Sequence, residues 1–545
     1  MLLYLKSLQR FVGQCVKNSR GGQTGQDSLT IVNREDSTCG LFAIVISMSY
    51  VLIATLAVMI LEYGLWFTSR SPRRILAALT LSLLLPLSLL TALTYTNAYS
   101  LLFLIVAAYR AINLARYTSQ RRQLDHLYSA AKQSSNWLLL AQIVTLLLTT
   151  HATSSILQYG LISLMVVTVV GCLTVVASGE RNLRKTRPGP LPQSFAADDV
   201  PTLSVLIPAR NETADLSDCL ASLIKSTYPK LEIIVLDDCS QNRRTPEIIK
   251  GFAHDGVRFI AGGAPPNSWL AKNYAYEQLA AVANGELLLF CGVDTRFQPE
   301  TLGVMVNELL TRRKTMLSFI PANQVPRPFE FMSILVQPSR YAWELLLPRR
   351  VLDRPPVLST AWLIKHETLR ASGGFKSVTR AATPERTLAR YAATHDDGYS
   401  FIQSDTVHGV SSVKRFSEQQ ATAIRTRYPQ LHQSLELTAL TTVLELLLFV
   451  LPLMLYVITI GSKNQIIFWA ANLSATITII VYAQICNLTY RKFLLRSVWL
   501  LPIAALYDVI LLNYSMYKYE FSSVGWKGRN VCIPVMQVIH KLPKV

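Results

Sequence analysis

The chain has 545 residues, too many for one ordinary core, so two or three structural units are expected. Half of its residues are hydrophobic and the mean hydropathy is +0.29, a balance that argues against a soluble protein. The net charge of +19 does not point to nucleic acid, because Lys and Arg form no long basic arms.

They cluster beside apolar runs instead: Arg70, Arg73 and Arg74; Arg110, Arg116, Arg121 and Arg122; Arg181, Arg184, Lys185 and Arg187; Arg491, Lys492 and Arg496. That is the positive-inside pattern of a multi-pass membrane protein, and it also suits an anionic lipid bilayer.

In chain order, residues 1–38 form a basic arm without a signal-peptide pattern, since Lys6 and Arg10 interrupt its first apolar stretch. Met1–Val16 reads either as a basic amphipathic helix on the membrane or as a disordered tail. Residues 39–179 form an N-terminal transmembrane region. Its apolar runs Leu41–Trp66, Leu76–Leu93 and Leu161–Val176 approach the roughly 20 residues that span a bilayer. Leu101–Leu114 and Trp137–Leu148 are shorter, and length alone leaves them as spans or as buried core helices. "RKTRPGPLPQ" (184–193) reads as a linker, its prolines blocking helix continuation.

From 180 to 434 the long apolar runs stop and short strands alternate with helices. "LSVLI" (203–207), "LEIIVL" (231–236), "VRFIA" (257–261) and "ELLLFC" (286–291) read as buried strands. Ala214–Ser226, Pro246–His254, Leu270–Ala283 and Pro299–Arg313 read as helices. The alternation predicts an α/β domain with a mostly parallel sheet, inserted between two transmembrane helical regions, and ligands of such sheets bind beyond the carboxyl ends of the strands. Segment 325–350, "VPRPFEFMSILVQPSRYAWELLLPRR", mixes aromatics, aliphatics and arginines without a spanning-length run. It reads as an interfacial element in the headgroup layer, or as a buried helix of the α/β domain. Residues 435–515 return to apolar runs, Leu437–Ile460, Ile466–Ile485 and Val498–Leu512, before a basic tail at 516–545.

The eight cysteines contain no CxxC pair and the eight histidines are scattered, so neither a disulfide framework nor a zinc site is expected. Cys172 and Cys486 lie inside apolar runs as small core residues.

The polar strand ends carry the chemistry. Strand one ends in "IPARNE" (207–212), strand two in "LDDCS" (236–240), and "PPNSWLAKNYA" (265–275) follows strand three. Strand four runs through "LFCGVDTRFQPETL" (289–302), where Gly292 and Asp294 flank Val293. "GGF" (373–375), "TPERTLAR" (383–390) and the closing "WKGR" (526–529) come later. Each strand end alone is also consistent with a turn and a helix N-cap.

Together these motifs resemble the family 2 glycosyltransferases, whose nucleotide-sugar domain has the GT-A fold. "PNSWLAKN" and "WKGR" are most similar to the membrane branch that glycosylates carotenoid, hopanoid-associated and ceramide-type lipids. The resemblance spans roughly 201–428 plus the tail. It implies that Asp237 and Asp238 bind base and ribose, bordered by Pro208, Arg210 and Glu212, and carboxylates suit ring N–H and hydroxyl donors. It places Lys272 at the nucleotide or its diphosphate, against the alternative of a helix-surface lysine. Asp294 matches the second Asp of the family's Asp-x-Asp, the metal ligand, while Gly292 replaces the first. Mg²⁺ or Mn²⁺ accepts one protein carboxylate when diphosphate and water complete its shell. Glu385 matches the carboxylate that deprotonates the acceptor, where the family has Glu-Asp and this chain Pro384-Glu385; helix-start chemistry competes for this residue. The family's Gln-x-x-Arg-Trp has only a partial counterpart in "EQQATAIRTRYP" (418–429), where Ile424 stands at the Gln position. Arg425 and Arg427 are its candidate diphosphate clamps, or exposed helix arginines.

The resemblance thus implies an inverting transfer of sugar from a nucleotide-sugar, with a leaning to UDP, onto a membrane-lipid hydroxyl. The basic flanks put the catalytic domain on the cytoplasmic face of a plasma or inner membrane. Eight spans, five before the domain and three after, would leave both basic termini outside, so one helix at each end is expected to be re-entrant or interfacial. Val498–Leu512, with Asp508 inside it, is the first suspect. A processive polysaccharide synthase and a scaffold with an inactive transferase domain are the competing readings.

Overall fold

The computed structural model describes residues 50–68, 70–119, 125–151, 154–189, 200–266, 268–324, 331–336, 338, 341, 344, 355–395, 398–404, 408–461, 465–490, 493–527 and 529–532. The arm at 1–38, the first residues of the Leu41–Trp66 run, Arg121, Arg122, Phe329, Trp343, Arg491, Lys492 and the end of the tail lie outside them.

Four expected strands form at β1 (Leu203–Ala209), β2 (Leu231–Asp237), β3 (Val257–Ala261) and β4 (Leu287–Cys291). Helices Ala214–Ile224, Arg244–Gly251, Ala271–Val282 and Thr301–Thr311 lie within two or three residues of their expected bounds. The strands are continuous runs of Val, Ile and Leu because both sheet faces are covered, as parallel sheets require. The seven-stranded sheet has the order β3-β2-β1-β4-β8-β6-β9, with β6 at Met316–Ile320, β8 at Ala361–Lys365 and β9 at Tyr399–Gln403. Pairing is parallel except around β8, which runs antiparallel to β4 and β6. A second sheet joins β5 (Thr295–Arg296), β10 (Ser411–Val413) and β7 (Ala322–Gln324) beside the end of β4.

On one face of the main sheet Phe290 stacks on Trp362 at 4.2 Å, and Tyr276 and Phe375 close the cluster edge-on. Helices Ala271–Val282 and Pro384–Thr394 cover this face.

Among the described residues, four helical segments are long and apolar enough to cross a membrane: Pro72–Thr94, Tyr99–Thr118, Leu435–Thr459 and Gln465–Asn487. Tyr50–Leu65 and Met165–Thr174 are apolar but shorter. The bundle is tied internally by polar contacts: Arg110 Nε donates to Glu62 at 3.0 Å and Ser135 Oγ to the same carboxylate at 2.7 Å. Its N-terminal and C-terminal helices meet through Tyr109–Thr442 at 2.9 Å, Ser134–Glu436 at 2.6 Å and Arg116–Glu520 at 2.9 Å.

Most of the run expected at Val498–Leu512 lies in the helix Leu501–Phe521, its first two residues ending the short helix Leu494–Trp499, and its Asp508 is buried in an ion pair with Arg427. The charge that made the run suspect is neutralised from the α/β domain. In segment 325–350, Leu335 and Val336 are buried against Ala423, Tyr482, Leu501 and Leu511, while Met332 is exposed. Its described part is therefore packed inside the protein, Leu335 and Val336 against the bundle and Tyr341 in the core of the α/β domain.

Arg427→Ala should strand Asp508 in the interior and cost about 3–5 kcal/mol, seen as a lowered thermal transition of the purified protein. The double change Arg427→Met with Asp508→Leu should recover most of that loss and leave nucleotide binding near the parent level.

Candidate active site

A cleft of about 240 Å³ opens beyond the carboxyl ends of β1 and β4. Of the expected residues, Pro208, Glu212, Lys272, Asp294 and Arg425 line it, together with Gly292. Tyr276, Thr360, Lys414, Glu418 and Lys527 line it as well, and the sequence assigned them no role.

Asp294 leaves β4 just before β5, which pairs antiparallel with β10. That pairing, closed by the Val413 N–H donating to the Asp294 carbonyl at 2.9 Å, brings two partners to the carboxylate. Ser412 Oγ donates to Oδ2 at 3.0 Å and Lys414 Nζ lies 3.3 Å from the same oxygen. Burial pushes the Asp294 carboxyl up, but the Lys414 charge and the Ser412 hydrogen bond outweigh it and hold the group below the usual Asp range. Gly292 has a steric reason: a Cβ there would stand 2.4 Å from Asp294 Oδ1.

At the ends of β1 and β2 the chain enters left-handed turns at Asn211 (φ 52°) and Cys239 (φ 50°). There Arg210 Nη1 donates to the Asp238 and Cys239 carbonyls at 2.7 and 2.6 Å, and its Nε to the Lys527 carbonyl at 3.0 Å. Lys527 belongs to the hairpin of β11 (Val524–Trp526) and β12 (Arg529–Cys532), which follows the last helix of the bundle. Its ammonium pairs with Glu212, and Arg529 Nη1 meets Asp238 Oδ1 at 2.6 Å. Burial, reinforced by the Arg210 charge, brings Lys527 down to about 8. Burial also raises Asp238 despite Arg529 and Arg210. Asp238, Arg210 and Glu212 thus clasp the hairpin, and Asp238 Oδ2 has no hydrogen-bond partner among the described residues. Asp237 lies at the same edge, its Oδ1 accepting from the Ser240 N–H at 3.2 Å.

Glu385 is buried in the first turn of Pro384–Thr394. Asn273 Nδ2 fixes the preceding loop by donating to the carbonyls of Val378, Thr379 and Ala381 at 2.8, 3.1 and 2.9 Å. Glu385 Oε2 has no hydrogen-bond partner among the described residues. The neighbouring Tyr276, which does line the cleft, has its phenol raised well above the usual value by burial and by the Glu385 charge. Lys272 Nζ sits 5.1 Å over the Tyr276 ring, a cation–π contact on the cleft wall.

Arg425 and Arg427 part company. Two residues apart on the helix Phe416–Gln430, they point about 200° apart. Arg425 reaches the cleft while Arg427 is wholly buried with Asp508, so the structure does not bring Arg427 to the diphosphate side.

The glycosyl transferase family 2 model matches residues 204–370, from β1 through the helix after β8. The chain carries a family 2 glycosyltransferase domain. Glu385, Lys414 and Arg425 lie beyond the matched segment. A probable glycosyltransferase, YdaM, of Bacillus subtilis is 33% identical over 129 residues, 23% of this chain and 28% of that protein. The 4,4'-diaponeurosporenoate glycosyltransferase of Staphylococcus haemolyticus is 31% identical over 138 residues, 25% of this chain and 36% of that protein. The chain thus spans about a third of the length of each. Among solved structures, the mannosyltransferase PcManGT from Pyrobaculum calidifontis, in complex with GDP-Man and Mn²⁺, is 19% identical. That alignment covers 64% of this chain and 99% of the other, with a TM-score of 0.37.

For a divalent ion the domain offers Asp294 at the strand end, and among the described residues no three His, Cys, Asp or Glu side chains stand together to hold one. With Oδ2 already facing an ammonium, this donor set does not fit a protein-held divalent ion.

Gly292→Asp should therefore not rebuild a two-carboxylate site. The new Cβ displaces the Asp294 carboxylate, and nucleoside-diphosphate affinity measured by calorimetry should fall roughly tenfold, a loss of about 1.4 kcal/mol.

Proposed function

We propose that this protein is an inverting glycosyltransferase that moves a sugar from a nucleotide-sugar, with uridine the favoured base, to the hydroxyl of a membrane lipid. The observation that carries the reading is the cleft itself, where Lys272, Asp294, Lys414 and Arg425 converge beyond the strand ends. Lysine and arginine there suit the donor diphosphate. Asp237 and Asp238 at the end of β2 lie outside the cleft lining, Asp238 buried against Arg529, and are proposed to meet the donor's base and ribose once the hairpin yields.

Glu385 is the acceptor's base. A buried carboxylate oxygen lacking a partner is costly unless a ligand supplies one, and an acceptor hydroxyl would do so. The hydroxyl gives its proton to Glu385 while its oxygen attacks the anomeric carbon opposite the departing diphosphate. Tyr276 lines the cleft and feels the Glu385 charge, so it is the cleft residue nearest in influence to the proposed base.

The acceptor is proposed to be a lipid because, among the described residues, the domain is joined to four helices of membrane-crossing length and character. The diaponeurosporenoate glycosyltransferase acts, by its name, on a carotenoid-type substrate, which supports the same reading. A multi-pass protein with its domain on the cytoplasmic face, at the basic ends of the apolar helices, completes it.

Purified membranes incubated with a panel of labelled nucleotide-sugars should yield labelled lipid carrying one or two sugars. Long water-soluble polymer would sink the lipid reading. Glu385→Gln should lower transfer by about 10²–10⁴-fold with donor affinity unchanged; if affinity fell in step, Glu385 would be a structural residue of its helix.

A further inference from the structure

The position that the Asp-x-Asp resemblance gives to a divalent ion is faced by a side chain of this protein. We propose that Lys414 is the cation that neutralises the donor diphosphate here, in place of a divalent metal. This rests on the reading of the cleft as a donor site.

Three independent features lead to it. The register of β5 on β10 sets Ser412 opposite Thr295, so the residue after β10 is delivered to Asp294 by the backbone rather than by chance of rotamer. Lys414 Nζ lies 3.3 Å from Oδ2, and both residues line the cleft. Gly292 cannot be exchanged for a second carboxylate without moving the first, since its Cβ would fall 2.4 Å from Asp294 Oδ1. A lysine ammonium has three N–H donors, enough to remain on Asp294 and also reach phosphate oxygens. Asp294 then orients the cation instead of coordinating a metal, and the desolvated setting strengthens the charge that Lys414 presents.

The chemical step balances with groups already named. The acceptor oxygen forms its bond to the anomeric carbon as the bond from that carbon to the diphosphate oxygen breaks. The electron pair stays on the departing oxygen beside the Lys414 ammonium, and the acceptor proton goes to Glu385.

The test uses the full-length protein in nanodiscs, stripped with EDTA and checked for residual metal by mass spectrometry. UDP and GDP serve as probes in calorimetry, with and without added Mn²⁺. The parent protein is expected to bind one of them equally well in both conditions. Lys414→Ala should lose roughly tenfold or more in EDTA, and Lys414→Arg should keep most of the affinity. Recovery of Lys414→Ala by Mn²⁺ would also support the proposal, because a metal then replaces the missing ammonium on Asp294. Binding by the parent protein only in Mn²⁺ would overturn it, as would unchanged binding by Lys414→Ala in EDTA. Failure of the parent protein to bind either probe in both conditions would instead remove the donor reading, and this proposal with it.

Discussion

A carboxylate drawn out of water at the end of a buried strand must find a cation or hydrogen bonds, and Asp294 finds both on β10 and the residue that follows it. Without Ser412 and Lys414 the desolvation of the group would drive it toward the neutral acid. The small sheet β5-β10-β7 therefore does more than extend the fold. It folds residues 411–414 back over the end of β4 and closes one wall of the cleft. Gly292 belongs to the same arrangement, because the carboxylate occupies the volume a side chain would fill.

The helix Phe416–Gln430 continues directly from that strand and has two unlike faces. One sends Arg425 into the cleft. The other is sealed to the bundle, with Arg427 on Asp508, the Tyr428 N–H donating to Ser515 Oγ at 3.1 Å and Ser515 Oγ donating to the Ile424 carbonyl. After the helix Leu501–Phe521 the chain returns to the same cleft as the hairpin carrying Lys527 and Arg529. The cleft is thus framed by segments on both sides of the C-terminal helices, which couples its shape to the packing of the bundle.

Glu385 is positioned from a third direction. Asn273 holds the loop before it to the helix Ala271–Val282, the same helix that supplies Lys272 and Tyr276. Lys272, Tyr276 and Glu385 consequently share one support, which is what the proposed in-line displacement would need.

The sequence by itself determined β1 to β4, the helices between them and the presence of apolar helices, because each is written in local periodicity over a handful of residues. It also pointed to Asp294 and Lys272, which line the cleft, and to Glu385, which is buried outside its lining, because all three sit in contiguous motifs. Lys414 and Lys527 were invisible as site residues, since they lie 120 and 315 positions from Asp294 and Glu212, and only strand register and the hairpin's return bring them in. β6, β8 and β9 escaped as well, their antiparallel or late pairing being a matter of long-range contacts. The fates of Arg425 and Arg427 were likewise left to the tertiary structure. A motif names residue types in order, but which helix face meets the cleft and which meets Asp508 is fixed by packing against segments more than eighty residues away.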